Sequence, residues 1–401
     1  MAAILDGLKV VELGEGIPAA HCARILGDFG AEVIKVEPPE GDVTRRHGPW
    51  PGDRPNPEAS GLFLALNVNK LGITLDVATA TGGEILLRLL GEADVFVTNL
   101  PLARLRALRL TYEDLASRYP RLIATYHTIF GLSGPYAEYA GDHLNASCAG
   151  TQAMGIGHPD REPLQMPLCM GGYQAGAAGF TASMAALLAR QRSGAGQCVD
   201  IAEADVLATL YNITAVTTYP YRGVTGIRRG NHGSALYPDC LLQCKDGAVG
   251  LVCNQLAQWL RFLELMGMPE WTKLPRYRDR RKMAEEYADE VDALMAPWMM
   301  EHTKAELVAM CREKHIPLSP CNNAKDLMES EHLRARDAFV AVEHPMAGTV
   351  EHPAAPYKLS ATPAAIRCPA PLLGEHNAAV LGERLGYDAA ALAGLRQTGV
   401  I

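Results

Sequence analysis

The sequence predicts an α/β fold built on a parallel sheet, and three observations carry that expectation. Apolar runs of strand length alternate with helical segments in the first part of the chain, glycines punctuate the alternation, and beyond residue 224 the pattern changes to a hairpin followed by amphipathic helices. The first strand is Leu8-Lys9-Val10-Val11-Glu12-Leu13, which ends at Gly14, with Gly16 just beyond. Ala19, Ala20, Cys22, Ile25 and Leu26 follow at helical spacing, Gly27-Asp28-Phe29-Gly30-Ala31 closes the helix, and Glu32 to Glu37 is the second strand. Strand, glycine turn, helix and strand make a βαβ unit of Rossmann type. Its turn, Gly14-Glu15-Gly16-Ile17-Pro18-Ala19, lacks the third glycine of the dinucleotide fingerprint, so it reads first as a tight bend and second as a place of ligand approach.

The alternation continues. Ile73 to Leu75 reads as a strand, Gly82 to Leu90 as a helix, Val95 to Asn99 as a buried strand, Tyr112 to Tyr119 as a short helix and Leu122 to Tyr126 as a strand. Gly171 to Arg192 is a helix so rich in alanine and glycine that it must lie centrally, against neighbouring backbone, and Gln197 to Ile201 is the next strand. From Leu241 to Val252 the chain alternates around Lys245-Asp246-Gly247 as a hairpin. Helices are expected at Gln255 to Met266, Lys282 to Met299 and Lys304 to Lys314, and polar, irregular chain from His344 to Pro371.

Composition narrows the function. Lys and Arg number 37 against 45 Asp and Glu, a net charge of −8 with no basic cluster, which excludes a nucleic-acid partner. The N-terminus has no basic region followed by an apolar core, and no apolar run is long enough to span a bilayer, so no membrane is expected. Ten cysteines are scattered without a CxxC pair, as in a reduced cytoplasmic protein, and no metal site is indicated.

Several segments together resemble the family III CoA-transferases, among them formyl-CoA transferase, carnitine CoA-transferases and α-methylacyl-CoA racemase. They are Leu5 to Leu13, Gly27 to Glu37, Asn67-Val68-Asn69-Lys70, Ala93 to Asn99, Phe130 to Tyr136, Gly194 to Asp200, Arg229-Gly230-Asn231 and Pro369 to Asn377. The resemblance covers nearly the whole chain. It implies a Rossmann-like large domain, 1–224, a small α+β domain, 225–340, and a segment, 341–401, that links back to the large domain, with two chains interlocked as an intertwined dimer. The substrate it implies is a coenzyme A thioester, with no covalently bound cofactor.

The resemblance also implies an aspartate nucleophile, which attacks the thioester to form a mixed anhydride. Its position falls at Gly172, or at Gly171 if the alignment slips by one, and no Asp or Glu occurs between Glu162 and Asp200. Cys169 and Tyr173 are the nearest reactive side chains. The His-Asp pair of the racemase branch is inverted here as Asp142-His143, and His143 reads most simply as a satisfied loop histidine. Cations that would meet CoA phosphates are replaced by Pro38, Pro39 and Ala107, so this chain's own cleft is expected to be weak or closed; Ile17, Leu71, Asn99 and Thr128 are the aligned positions that would line it. The coherent reading is a non-nucleophilic subunit of a heteromeric CoA-transferase, similar to the aspartate-free subunit of succinyl-CoA:benzylsuccinate CoA-transferase, partnered by a homologous subunit that keeps the aspartate. The alternatives are a homodimeric racemase, lyase or hydratase of the same fold, and an acyl-CoA-binding protein without catalysis.

Overall fold

The computed structural model describes residues 3–211, 213–226, 228–233 and 235–401. They form two compact units. The larger comprises Met1–Ala153, Gln165–Val224 and His332–Ile401, and the smaller Met154–Leu164 and Thr225–Glu331.

The larger unit is organised by six parallel strands: β1 (Lys9–Leu13), β2 (Glu32–Glu37), β3 (Lys70–Thr74), β4 (Val95–Thr98), β5 (Ile123–Thr128) and β6 (Cys198–Ala202). Their order is β3-β2-β1-β4-β5-β6. Strand interiors are buried on both faces, as a parallel sheet covered by helices requires. The helices that matter below are α1 (Pro18–Asp28), α2 (Gly61–Asn67), α3 (Ala80–Glu92), α4 (Leu102–Leu108), α5 (Tyr112–Ala116), α6 (His143–Ala149), α7 (Gln152–Gly155) and α8 (Met170–Ser193).

One face of the sheet packs on α3 through Ile85, Leu86, Leu89 and Leu90, together with Val380, Leu381, Leu385 and Val400 from the C-terminus. The C-terminal chain is pinned there: the Asp76 amide donates to Val400 O at 2.7 Å and the Thr74 amide to Asn377 Oδ1 at 2.9 Å. The other face packs on α1 and α8. A Cβ at Gly176 would come within 2.8 Å of Pro18 O, and one at Gly179 would strike the His127 ring. Glycine at these two positions is what lets α8 lie directly on α1 and β5, and it accounts for the central place its composition predicts.

In the smaller unit β7 (Asp239–Cys244), β8 (Gly247–Val252) and β9 (Leu318–Pro320) form an antiparallel sheet in that order. Helices Leu256–Leu265, Arg280–Glu286, Ala288–Met300 and Lys304–Glu313 close over it around Trp259, Phe262, Met295 and Met299. The single helix expected from Lys282 to Met299 is broken at Tyr287, whose φ of −129° and ψ of 12° are not helical.

Two boundaries differ from the sequence expectation. The small unit ends at Glu331, not near 340, because Phe339–His344 and Gly348–Pro353 pair as an antiparallel hairpin (β10 and β11) that belongs to the large unit. Ala347 and Val350 of that hairpin pack on Phe63, Leu64 and Ala370, and the Arg24 guanidinium donates to Pro353 O at 2.5 Å. The region from His344 is therefore partly strand, not irregular throughout. The small unit also gains Met154–Leu164, tied to it where the Gly230 amide donates to Gly157 O at 3.0 Å. All ten cysteines are unpaired. Among the described residues no helix is long and apolar enough to cross a membrane.

Candidate active site

In a doubly wound sheet the ligand crevice opens at the carboxyl ends of the strands, where the strand order reverses. Here the order reverses between β1 and β4. The loops leaving these strands are clasped together: the Glu15 amide donates to Asn99 Oδ1 at 2.9 Å and Asn99 Nδ2 donates back to Glu15 O. A side chain at Gly14 would collide with Asn99 Oδ1, so this approach fixes the glycine.

A cavity of about 760 Å³ opens at this point. Gly16, Ile17 and Asn99 line one side, Leu102 and Ala103 of α4 another, and His127, Thr128, Ile129 and Phe130 a third. Asp142, His143, Cys169, Gly172 and Glu203 also line it, as do the carboxylate residues Glu15 and Glu138. Among the described residues no Lys or Arg contributes to it. The volume lies within the ~300–1,000 Å³ typical of small-molecule sites.

Behind the Gly14–Gly16 turn sits a buried ionic quartet. Lys35 Nζ bonds Glu12 Oε1 at 2.9 Å and Asp42 Oδ2 at 2.8 Å, and Lys70 Nζ bonds Glu12 Oε2 at 2.7 Å. Burial alone would raise the Glu12 carboxyl, but Lys35 and Lys70 outweigh it and hold it low. Burial pulls Lys70 down to about 8 despite Glu12, whereas Asp42 and Glu12 more than offset burial at Lys35 and raise it. Lys35, fully committed, is not available to a ligand phosphate.

The model of CoA-transferase family III matches residues 5–377. The chain belongs to that family. It is 32% identical over 99% of its length to 98% of succinyl-CoA–D-citramalate CoA-transferase from Chloroflexus aurantiacus. It is 30% identical over 99% of its length to 98% of the β subunit of that organism's succinyl-CoA–L-malate CoA-transferase. The crystal structure of a CaiB/BaiF family protein from Brucella suis superposes with a TM-score of 0.86 at 31% identity, covering 96% of this chain and all of the other. The six-stranded parallel unit with its C-terminal return is thus the fold of a family III CoA-transferase.

The position at which the resemblance places an aspartate falls within this region. Gly171 and Gly172 lie in the first turn of α8, and Gly172 is in the cavity wall. Two acidic side chains stand nearby. Asp142 caps α6: its carboxylate accepts from the His143 amide at 2.7 Å, and Asn145 Oδ1 accepts from the Asp142 amide at 2.9 Å. Glu203, directly after β6, bonds His143 Nδ1 through Oε1 at 2.9 Å. Burial raises the Glu203 carboxyl, and the bond to His143 pulls it back.

The other expected residues divide. Ile17, Asn99 and Thr128 line the cavity, but Leu71 does not: it sits half-buried in β3 against the α3-side core. Tyr173 is also outside the wall, its ring edge-on to His21 with centroids 5.2 Å apart. Cys169 is exposed in the wall with its thiol raised by burial and by the nearby charges of Asp142 and Glu203, which disfavours the thiolate a nucleophile needs. His143 is not a loop histidine. It is the first residue of α6, 5% exposed, and its Nε2 meets no protein partner. The cleft, expected to be weak or closed, is open as a cavity, and Ala107 lies on the exposed side of α4, away from it.

Glu203 and His127 are among the wall residues that escaped the sequence reading. Glu203 follows the end of β6, and His127 lies near the end of β5, 2% exposed with neither ring nitrogen partnered. Both sit at the carboxyl ends of strands, the one positional signal that points to them.

Proposed function

We propose that this chain is the non-nucleophilic subunit of a heteromeric family III CoA-transferase, moving CoA between carboxylic acids together with a homologous subunit that carries the aspartate. One observation carries the reading: the first turn of α8 presents Gly171 and Gly172 where the family's carboxylate is expected, and both nearby carboxylates have other duties, Asp142 as a helix cap and Glu203 as the partner of His143. A transfer needs a group that holds the acyl moiety between its two half-reactions, and neither Gly171 nor Gly172 offers one. The subunit named among the relatives supports the existence of heteromeric members. In an interlocked pair such a chain contributes interface and pocket wall, and its stability is inseparable from assembly. The absence of Lys and Arg from the cavity wall agrees with a chain that does not anchor CoA phosphates strongly.

The test is to assemble the chain with its aspartate-bearing homologue and replace that aspartate by alanine. CoA transfer is expected to fall to background. Transfer at near wild-type rate in that complex would place the nucleophile in this chain and end the proposal.

A further inference from the structure

Charge in the cavity wall is one-sided. Four acidic residues line it, Glu15, Glu138, Asp142 and Glu203, and among the described residues no Lys or Arg does. Glu203 is buried against His143, whereas Glu15, Glu138 and Asp142 are exposed. These three come from different places in the chain. Glu15 follows β1 in the turn that Asn99 clasps, Glu138 lies between β5 and α6, and Asp142 caps α6.

The cations nearby do not cancel this charge. Lys35 and Lys70 are matched one for one by Glu12 and Asp42, so the quartet behind the turn adds no net charge. Arg106 pairs with Glu138 at the surface, but it is not in the lining, and exposed pairs are weak. Groups in the wall feel the excess. The Glu15 carboxyl is raised by burial and then by the charge of Asp42, and the Cys169 thiol by burial and then by Asp142 and Glu203. The rest of the lining includes Ile17, Leu102, Ile129 and Phe130. Such a wall favours a hydrocarbon chain by burial and opposes an anion by repulsion.

We propose that this cavity selects acyl groups whose far end is uncharged and rejects those that carry a second carboxylate, with Glu15, Glu138 and Asp142 as the specificity-determining residues. The inference deepens the subunit reading and takes from it that the ligands are CoA thioesters. The same lining keeps the phosphates of CoA outside, so the acyl group and the uncharged pantetheine arm are what enter. Exposed charges act through water and salt. Each carboxylate therefore contributes a few-fold to the discrimination, and the three together about tenfold.

The test is calorimetry on the full-length chain at about pH 8, where a histidine of ordinary pKa is neutral, with three thioesters that share the same CoA. Butyryl-CoA ends in a methyl group, succinyl-CoA in a carboxylate, and succinamoyl-CoA in an uncharged amide of the same size as that carboxylate. Butyryl-CoA is expected to bind most tightly, and succinyl-CoA about tenfold more weakly than succinamoyl-CoA. Added salt should narrow that last gap. The triple variant E15Q, E138Q and D142N keeps side-chain size, and asparagine also caps a helix, so the fold is retained and the gap should close to within about threefold. A thermal melt checks that fold, and E15Q alone should narrow the gap about twofold should the triple variant not fold. Succinyl-CoA bound by the wild type as tightly as succinamoyl-CoA would overturn the proposal. A gap unchanged in the folded variants would overturn the role of the three carboxylates. Binding of none of the three thioesters would overturn it at its ligand. Each of these results leaves the subunit reading standing, because that reading is decided by transfer in a complex whose partner lacks its aspartate.

Discussion

The ionic quartet behind the first turn and the cavity wall in front of it are both buried and both polar, yet they are built by opposite rules. In the quartet Lys35, Lys70, Glu12 and Asp42 answer one another, and Lys70 is further satisfied by Asn67 Oδ1 at 2.8 Å and Ala20 O at 2.9 Å. In the wall, His127 and His143 keep ring nitrogens that meet no protein group. Closed pairing of charges belongs to the scaffold. Buried polar atoms without a protein partner also occur away from the wall, at Ser147 Oγ, Arg261 Nε and His344 Nε2 among others, so those of His127 and His143 gain weight only from the cavity that the two residues line.

The largest expected effect breaks the quartet. Lys35→Met leaves Glu12 and Asp42 short of a cation inside the protein and should cost about 3–5 kcal/mol. Glu203→Gln in the wall retains a hydrogen-bonding group and should cost far less. Chemical denaturation of the two variants compares them directly, and equal losses would erase the distinction.

A pH effect sharpens the same contrast. Burial pushes His127 down to about 3 and His21 to about 4, so the unfolded chain binds protons that the folded chain refuses once the pH falls below about 6.5. Their stabilisation is complete above that value and is lost on acidification towards the folded values, by about 1.4 kcal/mol per pH unit for each group. Glu12 and Asp42 are held below their ordinary values, Glu12 by Lys35 and Lys70 and Asp42 by Lys35, so the stability they add persists until lower pH and is lost only as the pH falls through their folded values. Denaturation between pH 7 and 5 should therefore show stability falling in wild type and falling less in His127→Leu. Identical slopes would mean that His127 is not held neutral.

The smallest effect concerns two adjacent glycines. Gly171→Ala drives a methyl into the His143–Glu203 pair and should cost about 1–3 kcal/mol. Gly172→Ala meets Ile17 at an ordinary 3.5 Å and should change stability by about 1 kcal/mol or less, since alanine favours a helix. Thermal melts of the two variants would contradict this geometry if their order were reversed.

Much of the scaffold was legible. The βαβ start, the buried Val95 strand and the Ala/Gly helix announce themselves because apolar period and glycine punctuation are local signals. The hairpin Phe339–Pro353 was not, because its short strands bury little apolar surface of their own and pack on Phe63 and Leu64, far away in sequence, and on Ala370. The missing carboxylate at Gly171 and Gly172 could be read from the sequence. The pairing beside that position could not: Glu203 meets His143 only where the end of β6 and the start of α6 come together, and alignment placed Leu71 in its strand without showing that it packs on the α3-side core.

The account's central claim is that this chain never carries the acyl group or CoA covalently during transfer. Intact-mass spectrometry of the assembled enzyme, quenched during turnover with an acyl-CoA donor, tests it most directly. The account predicts a CoA or acyl adduct on the aspartate-bearing partner and an unmodified mass for this chain. An adduct on this chain, at Cys169 or Asp142 or anywhere else in its cavity wall, would contradict it.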